Sequence, residues 1–140
     1  MLVAAAMMWL AAWAAPGLGF SVPHRTSIGV GFVLAGLAVS LLGVAAFKRA
    51  KTTVNPMSPS SSSSLVIAGI YRWTRNPMYF GFGLVLLGKA AFLSNVLAYV
   101  FLPGFVLYMN QFQIKPEERA LESRFGREFV DYSRRVRRWI

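Results

Sequence analysis

Residues 69–93, GIYRWTRNPMYFGFGLVLLGKAAFL, join a polar and basic segment to an apolar stretch. Pro77 stands at the junction, where proline fits the first turn of a helix. The apolar part has the length of a short membrane span, since spans take about 17–25 residues. Charged and amide side chains at such a junction, those of Arg72, Arg75 and Asn76, contribute little to membrane insertion, so we expect them to have a function.

The composition of the whole chain indicates a membrane protein. The chain has 140 residues, 56% of them hydrophobic and 14% aromatic, and the apolar residues occur in long blocks rather than in the short runs of a soluble core. We predict an all-α integral membrane protein with about four transmembrane helices and a C-terminal amphipathic cytosolic helix. The predicted spans are residues 2–20, 28–47, 77–93 and 96–113.

The order of these blocks predicts a single membrane domain, 1–140. The first block lacks the basic start of a signal peptide, so we interpret it as a retained span despite Pro16. It pairs with the second span across a polar turn at 21–27. The predicted parts are an N-terminal hairpin (1–47), a cytosolic loop (48–76), the third and fourth spans (77–113) and a cytosolic amphipathic tail that completes the site (114–140).

The net charge of +10 lies beside the ends of the predicted spans. This placement is the positive-inside pattern and puts both termini and the loop in the cytoplasm. It also predicts contact with anionic lipid headgroups and argues against nucleic acid as the partner. The basic residues that carry the pattern are Lys48, Arg49, Lys51, Arg72, Arg75, Lys115, Arg119, Arg124, Arg127, Arg134, Arg135, Arg137 and Arg138.

The residue types that the chain lacks exclude several kinds of catalytic and metal site. The chain has no cysteine and one histidine, His24. Disulfides, thiolate catalysis, Cys-ligated metals and multi-His metal sites are therefore excluded, and we predict no metal site.

The long loop and the third span carry small and polar residues. Serines 60–64 predict a flexible linker. Gly81, Gly83 and Gly88 favour close packing of the third span against a neighbour. Their packing interpretation is favoured over a role in a site.

The tail has apolar residues spaced by three and four, which predicts an amphipathic helix at the membrane surface or folded over the bundle. Gly126 lies inside it and is expected to bend it. Glu117 and Glu118 stand where the fourth span ends, next to Pro116. Their position suits either a helix start or a functional site. The apolar residues are Leu121, Phe125, Phe129, Tyr132, Val136 and Trp139.

Taken in order, these segments resemble the isoprenylcysteine carboxyl methyltransferase family and the related phospholipid methyltransferases. The resemblance covers about residues 48–140, and its specificity lies in the ordered set rather than in one motif. The residues that carry it are Thr52-Thr53-Val54-Asn55-Pro56, Gly69, Tyr71, Arg75-Asn76-Pro77-Met78-Tyr79, Gly81, Glu117-Glu118, Leu121, Phe125-Gly126, Phe129, Tyr132 and Val136 to Trp139.

The resemblance implies a membrane-embedded enzyme that transfers a methyl group from S-adenosyl-L-methionine to a lipophilic small molecule from the bilayer or to an isoprenylcysteine-like carboxylate. The cofactor would lie on the cytosolic side, between the last two spans, the loop and the tail. The implied catalytic residues are Arg75, Asn76 and Glu118. The implied cofactor-binding residues are Tyr71, Arg75, Asn76, Pro77, Tyr79, Gly81, Glu117 and Glu118.

These residue types suit the cofactor. Arg75 can hold its carboxylate with a planar fork, and Glu117 or Glu118 can accept hydrogen bonds from its ammonium or ribose hydroxyls. Tyr79 offers an aromatic wall. The best-known family members have histidine where this chain has Asn76, and an amide cannot act as a base at neutral pH. A carboxylate acceptor does not have to be deprotonated and needs no base, whereas an amine, thiol or hydroxyl acceptor can need one.

Three alternatives remain at this point. A small multidrug-type transporter of this size usually keeps an acidic residue inside a span, and the predicted spans contain neither Asp nor Glu. An NADPH-dependent relative of the sterol reductases would share the C-terminal half of the fold. A catalytically silent scaffold would bind no cofactor. Arg72 and Arg119 fit either an anionic acceptor or the membrane surface, and the acceptor and the oligomeric state stay open.

Overall fold

The computed structural model describes residues 1–50 and 64–140 of the chain. The predicted serine linker and the Thr52–Pro56 part of the resemblance lie outside the described residues. Apart from short turns, the described residues form helices, which confirms the all-α class. The main helices are α1 (Leu2–Ala14), α2 (Arg25–Arg49), α3 (Pro77–Leu93), α4 (Val96–Tyr108), a π-helix (Met109–Ile114), α5 (Lys115–Phe125) and α6 (Arg127–Arg135).

The chain divides into two compact units. The first unit contains Met1–Ala38 and Gly81–Tyr108. In it α1 packs against α4, and the turns at the ends of the helices bond to each other. The side chain of Asn95 donates from Nδ2 to the carbonyl oxygen of Ala15 at 2.9 Å, and the backbone N–H of Phe20 donates to the carbonyl oxygen of Ser94 at 2.8 Å.

Glycines bring two helices of the first unit into backbone contact. A Cβ atom on Gly36 would lie 2.5 Å from the carbonyl oxygen of Gly81, and one on Gly88 would lie 2.6 Å from that of Gly29. Only a residue without a side chain fits at these distances. The packing interpretation of Gly88 is therefore confirmed. That of Gly81 stays a prediction, because the short distance there excludes a side chain on Gly36. A Cβ on Gly83 would meet only ordinary contact with Phe105 at 3.9 Å.

The second unit contains Val39–Phe80 and Met109–Ile140. In it the π-helix leads directly into α5, and α5 packs against α6. Gly126 separates α5 from α6 with a φ of +52°, a conformation that glycine adopts without steric cost. The chain therefore changes direction where the sequence predicted a bend.

The apolar side of α6 is used inside the second unit. Phe129 and Tyr132 are buried, and the Tyr132 hydroxyl donates to the carbonyl oxygen of Tyr71 at 2.7 Å. These contacts lie within the second unit. The position of the tail relative to the membrane surface and the bundle stays a prediction. The predicted amphipathic helix is divided at Gly126 into α5 and α6. It ends at Arg135, so the prediction that it continues through Val136 and Trp139 is wrong, and the backbone is extended at Val136.

Helix boundaries agree with the predicted spans in the second half of the chain and differ in the first. The helix predicted over 2–20 ends at Ala14 because Pro16 follows and starts a short 3-10 turn. The second helix begins at Arg25, so it takes in part of the predicted turn at 21–27.

Among the described residues, α2 is the helix whose length and apolar composition suffice to cross a membrane. It has 25 residues, which corresponds to about 37 Å at 1.5 Å per residue. Two shorter apolar helices, α1 and α3, have 13 and 17 residues. Leu34 and Leu41 of α2 are 61% and 67% exposed.

Candidate functional site

The segment before α3 fixes the position of Arg75. Pro77 is fully buried and begins α3, as expected for a proline at a helix start. The hydroxyl oxygen of Thr74 accepts a hydrogen bond from the backbone N–H of Asn76 at 3.1 Å. This local turn holds Arg75 between two anchored neighbours.

Glu118 of α5 binds two guanidinium groups. Arg75 Nη1 lies 3.0 Å from Glu118 Oε1. Arg138 donates from Nε to the same oxygen at 2.9 Å and from Nη2 to Oε2 at 2.6 Å. The hydrogen bonds to Glu118 raise the pKa of Arg138. Glu118 therefore joins residues that are 43 and 20 positions away in the sequence, and both of its oxygens are engaged.

Arg75 keeps one unsatisfied donor. Its side chain is 14% exposed, and its Nε is buried without a hydrogen-bond partner among the residues that the structure describes. A buried guanidinium N–H without an acceptor is costly. The position is therefore suited to an acceptor from a bound molecule, such as a carboxylate.

Glu117 has uncharged partners. The hydroxyl of Tyr79 donates to Glu117 Oε1, and Gln113 of the π-helix donates to the same oxygen from Nε2 at 2.6 Å. Burial raises the pKa of Glu117, and the two hydrogen bonds oppose that rise because they stabilise the charged form. The result is a partly buried carboxylate without a cationic partner among these contacts.

Tyr71 and Tyr132 form the buried side of this region. Both are 5% exposed, and burial raises the pKa of each. The charge of Glu117 contributes to the rise at Tyr71, and the charge of Arg75 opposes the rise at Tyr132. The ring of Phe47 packs edge-on against Tyr71 at 5.4 Å between centroids. These two phenols are therefore neutral and buried.

Most of the predicted site residues lie in the second unit, and most of those are connected. Arg75 contacts Glu118 directly, Tyr79 contacts Glu117, and the amide of Asn76 donates to the carbonyl oxygen of Arg138 at 3.0 Å. The hydrogen bonds and ion pairs of this region form three groups, one around Glu118, one around Glu117 and one between Tyr71 and Tyr132. We call their members together the polar cluster: Tyr71, Thr74, Arg75, Asn76, Tyr79, Gln113, Glu117, Glu118, Tyr132 and Arg138.

Two of the predicted site residues, Pro77 and Gly81, are not part of the polar cluster. Pro77 contributes as the start of α3 and packs near Gly43, where a Cβ would lie 3.2 Å from Pro77 Cγ. Gly81 belongs to the first unit, where its carbonyl oxygen packs against Gly36. The cofactor role of Gly81 stays a prediction.

Sequence reasoning missed several members of the polar cluster. Arg138 was counted with the surface charge of the tail, and Gln113 was counted as the end of a span. Thr74 had no assignment. The signal for Gln113 is its spacing, because it precedes Glu117 by four residues and such positions are neighbours on a helix. The pairing of Arg138 has no local signal in the sequence.

Comparison with known proteins assigns the family. The phospholipid methyltransferase family matches residues 24–128, which is 105 of the 140 residues. An uncharacterized protein of Haemophilus influenzae is 46% identical over 63 residues, which are 45% of this chain and all of that protein.

Enzymes with assigned names are more distant. A probable protein-S-isoprenylcysteine O-methyltransferase of Oryza sativa subsp. indica is 31% identical over 112 residues, which are 78% of this chain and 57% of that protein. The protein-S-isoprenylcysteine O-methyltransferase of Mus musculus is 32% identical over 77 residues, 55% of this chain and 27% of that protein. The chain thus spans about half of the rice relative and about a quarter of the mouse one.

These matches agree with the resemblance seen in the ordered residues and favour the methyltransferase class over the transporter and reductase alternatives. The matched range includes Arg75, Asn76, Glu117 and Glu118. The predicted family is confirmed: the chain is similar to protein-S-isoprenylcysteine O-methyltransferases and belongs to the phospholipid methyltransferase family, a family of methyltransferase enzymes.

Proposed function

We propose that the chain is a membrane-embedded methyltransferase that uses S-adenosyl-L-methionine and acts on a lipophilic acceptor with an isoprenylcysteine-like carboxylate. The observation that carries the proposal is the meeting of Arg75 with Glu118 and of Tyr79 with Glu117 in one unit. These residues come from two regions about 40 positions apart. Together they offer a cation, two carboxylates and an aromatic ring.

This set of groups fits the proposed cofactor. The unpartnered Nε–H of Arg75 would donate a hydrogen bond to the carboxylate of the cofactor, which would satisfy this buried donor. Glu117, partly buried and bound only by neutral donors in its described contacts, would accept from the ammonium or a ribose hydroxyl. When bound, the cofactor supplies a methyl group that a sulfonium activates, so the residues mainly have to orient it and exclude water.

The acceptor is proposed from the chemistry of Asn76 and from the names of the relatives. An amide at this position cannot take a proton, which suits an acceptor that is already a carboxylate. The rice and mouse relatives are named for methylation of isoprenylcysteine. Arg72 and Arg119 are exposed and are proposed to attract an anionic acceptor or anionic headgroups.

The membrane position is proposed from exposed apolar side chains. Leu2, Leu41, Phe92 and Leu107, one from each of α1 to α4, are between 52% and 78% exposed. Such surface is costly in water and is expected to face lipid. We therefore propose that four helices cross the bilayer, with both termini and the loop in the cytoplasm, as the placement of basic residues favours. The acceptor would reach the site from the bilayer.

Cofactor binding is the first test. Calorimetric titration of the purified protein with S-adenosylhomocysteine is expected to give a dissociation constant in the micromolar range, about −8 kcal/mol. Arg75→Ala and Glu118→Ala are expected to weaken binding by at least about tenfold. Matched controls are Arg127→Ala and Glu122→Ala, which remove exposed charges of the second unit. Binding of NADPH in place of S-adenosylhomocysteine would favour the reductase instead.

Methyl transfer is the second test. The protein in vesicles is given S-adenosylmethionine with a labelled methyl group, together with S-farnesylcysteine or its methyl ester. We expect label to enter the first compound and not the ester, because the ester has no free carboxylate. Label in neither compound, with cofactor binding intact, would reject this acceptor and keep the cofactor.

A further inference from the structure

The stretch 136–139, called here the return segment, lies against residues 74–76. The carbonyl oxygen of Arg138 accepts hydrogen bonds from Thr74 Oγ1 and from Asn76 Nδ2, each at 3.0 Å. The carbonyl oxygen of Arg137 accepts one from the backbone N–H of Arg75, also at 3.0 Å. Three hydrogen bonds therefore hold the return segment to the turn that carries Arg75.

The return segment is also anchored by its side chains. Arg138 donates twice to Glu118 of α5, and Trp139 donates from Nε1 to Asn110 Oδ1 of the π-helix at 3.1 Å. The return segment thus connects the turn before α3 with the π-helix, which carries Asn110, and with α5, which carries Glu118. A shift of the segment would change the surroundings of Glu118.

Asn76 uses one N–H of its side-chain amide in this contact. Its Nδ2 is directed to the Arg138 carbonyl oxygen, and the neighbouring Thr74 is 3% exposed. A carbonyl oxygen has two lone pairs and can accept from both side chains together. Asn76 and Thr74 therefore donate to the same carbonyl oxygen, that of Arg138, and both hold the return segment.

We infer that Thr74 and Asn76 are positioning residues that fasten the return segment over the cofactor site, and that the amide of Asn76 has no part in the chemistry. The fastened segment places the guanidinium of Arg138 on Glu118, so that Glu118 is held between Arg138 and Arg75. This inference rests on the proposed function, because it assigns to the return segment a role in binding the cofactor.

The shared partner makes a specific prediction about paired substitutions. Removing one donor, in Thr74→Val or Asn76→Ala, leaves the other on the same oxygen, and S-adenosylhomocysteine affinity is expected to fall by only about twofold. Removing both is expected to lower affinity by more than about tenfold, well beyond the product of the two single effects. Thr74→Ser in combination with Asn76→Ala keeps a hydroxyl and is expected to restore the single-variant affinity.

Ser40→Ala is the matched control for these variants. Ser40 also donates from its hydroxyl to a distant backbone oxygen of the second unit, that of Met78 at 3.3 Å. Its loss is expected to leave S-adenosylhomocysteine affinity unchanged. A similar loss of affinity in Ser40→Ala would mean that any hydroxyl deletion disturbs the unit, which would overturn the assigned role of Thr74.

Trypsin cleavage measures, without a ligand, how firmly Thr74 and Asn76 hold the return segment. The bonds after Arg137 and Arg138 lie in the return segment, and those after Arg124 and Arg127 lie beside Gly126 and serve as an internal reference. In the double variant, cleavage after Arg137 and Arg138 is expected to rise at least about tenfold relative to the reference bonds, because local opening becomes easier.

The outcomes separate this inference from the proposed function. Unchanged cleavage in the double variant would overturn the fastening. Faster cleavage with unchanged affinity would overturn the role of the return segment in the cofactor site. If the unaltered protein binds no S-adenosylhomocysteine, the proposed function fails and the binding role fails with it, while the cleavage rates still decide whether Thr74 and Asn76 hold the segment.

Discussion

Glu117 and Glu118 are adjacent in the chain and have opposite surroundings. Glu117 accepts hydrogen bonds from the uncharged side chains of Tyr79 and Gln113, whereas Glu118 binds the guanidinium groups of Arg75 and Arg138. Successive residues on a helix point about 100° apart, which is how neighbours come to face different partners. We therefore expect the two carboxylates to respond differently to substitution.

Replacement of Glu118 should destabilise the protein. In Glu118→Gln, the guanidinium groups of Arg75 and Arg138 lose their counter-charge while they remain close together, and Arg75 is only 14% exposed. Breaking a partly buried pair of this kind is expected to cost about 2 kcal/mol of unfolding free energy. Denaturant unfolding in detergent micelles measures it.

Glu122→Gln provides the comparison, since Glu122 is exposed on the same helix and its loss is expected to stay within about 0.5 kcal/mol. Equal effects for the two variants would contradict the structural role of Glu118.

Glu117 should make stability depend on pH in a defined direction. Burial raises its pKa in the folded protein above the ordinary glutamate value of about 4.3. Between these two pKa values the folded state binds more protons than the unfolded state, so stability falls as pH rises. Glu117→Gln removes the cost of the buried charge. Its melting temperature is expected to exceed that of the unaltered protein at pH 7.5 and to approach it near about pH 4.

Glu128→Gln serves as the control for this titration, because Glu128 is exposed in the first turn of α6. A benefit of Glu117→Gln that is as large in acid as at pH 7.5 would rule out the burial of charge as its cause. Since Glu117 is proposed to bind the cofactor, we expect the more stable variant to lose affinity for S-adenosylhomocysteine.

The hydroxyl of Tyr132 should contribute measurably to stability. Tyr132→Phe removes the donor that binds the Tyr71 carbonyl oxygen at 2.7 Å in a buried position. The loss is expected to be about 1–2 kcal/mol, since the carbonyl then lacks its partner. Tyr99→Phe is the matched control in the first unit, where the Tyr99 ring packs near that of Phe20. If both substitutions have the same effect, the bond between α6 and Tyr71 contributes nothing.

Two glycines of α2 should behave in opposite ways. Gly36→Ala would place a methyl group 2.5 Å from the Gly81 carbonyl oxygen and 2.9 Å from Val85, and it is expected to destabilise the protein by about 2 kcal/mol. Gly31→Ala meets no atom within 4 Å, and it is expected to stabilise the helix by up to about 1 kcal/mol. Thermal unfolding of both variants decides whether α2 and α3 pack as closely as described.

The fold was predictable where local residues mark helix ends. Pro77 has the chemistry of a helix start, and α3 begins there. The Ser94-Asn95 pair has the chemistry of a turn, and it separates the end of α3 from the start of α4. The first helix was predicted too long, because the apolar residues after Pro16 gave no other sign of a stop. Gly126 was predicted to bend the tail. The sequence could not show that the chain becomes extended at Val136, since that depends on contacts with distant residues.

The sequence predicted part of the polar cluster and none of its pairing. Arg75, Asn76, Glu117 and Glu118 were predicted from their order and chemistry, and their roles in binding and catalysis stay predictions. Arg138 was not, because its neighbour Arg137 has the same charge in the same basic stretch, and only the return of the chain after α6 brings one of them to Glu118. Pairing across 20 to 60 positions is a property of the folded chain, which local patterns do not specify.

The polar cluster draws on stretches near residues 75, 115 and 138, and the last of these is synthesised after the other two. Proteins begin to fold during synthesis from the N-terminal side. On the ribosome, Arg75 and Glu118 are made well before Arg138, which later supplies two of the hydrogen bonds to Glu118. A nascent chain therefore cannot assemble the complete set of partners until translation has passed Arg138.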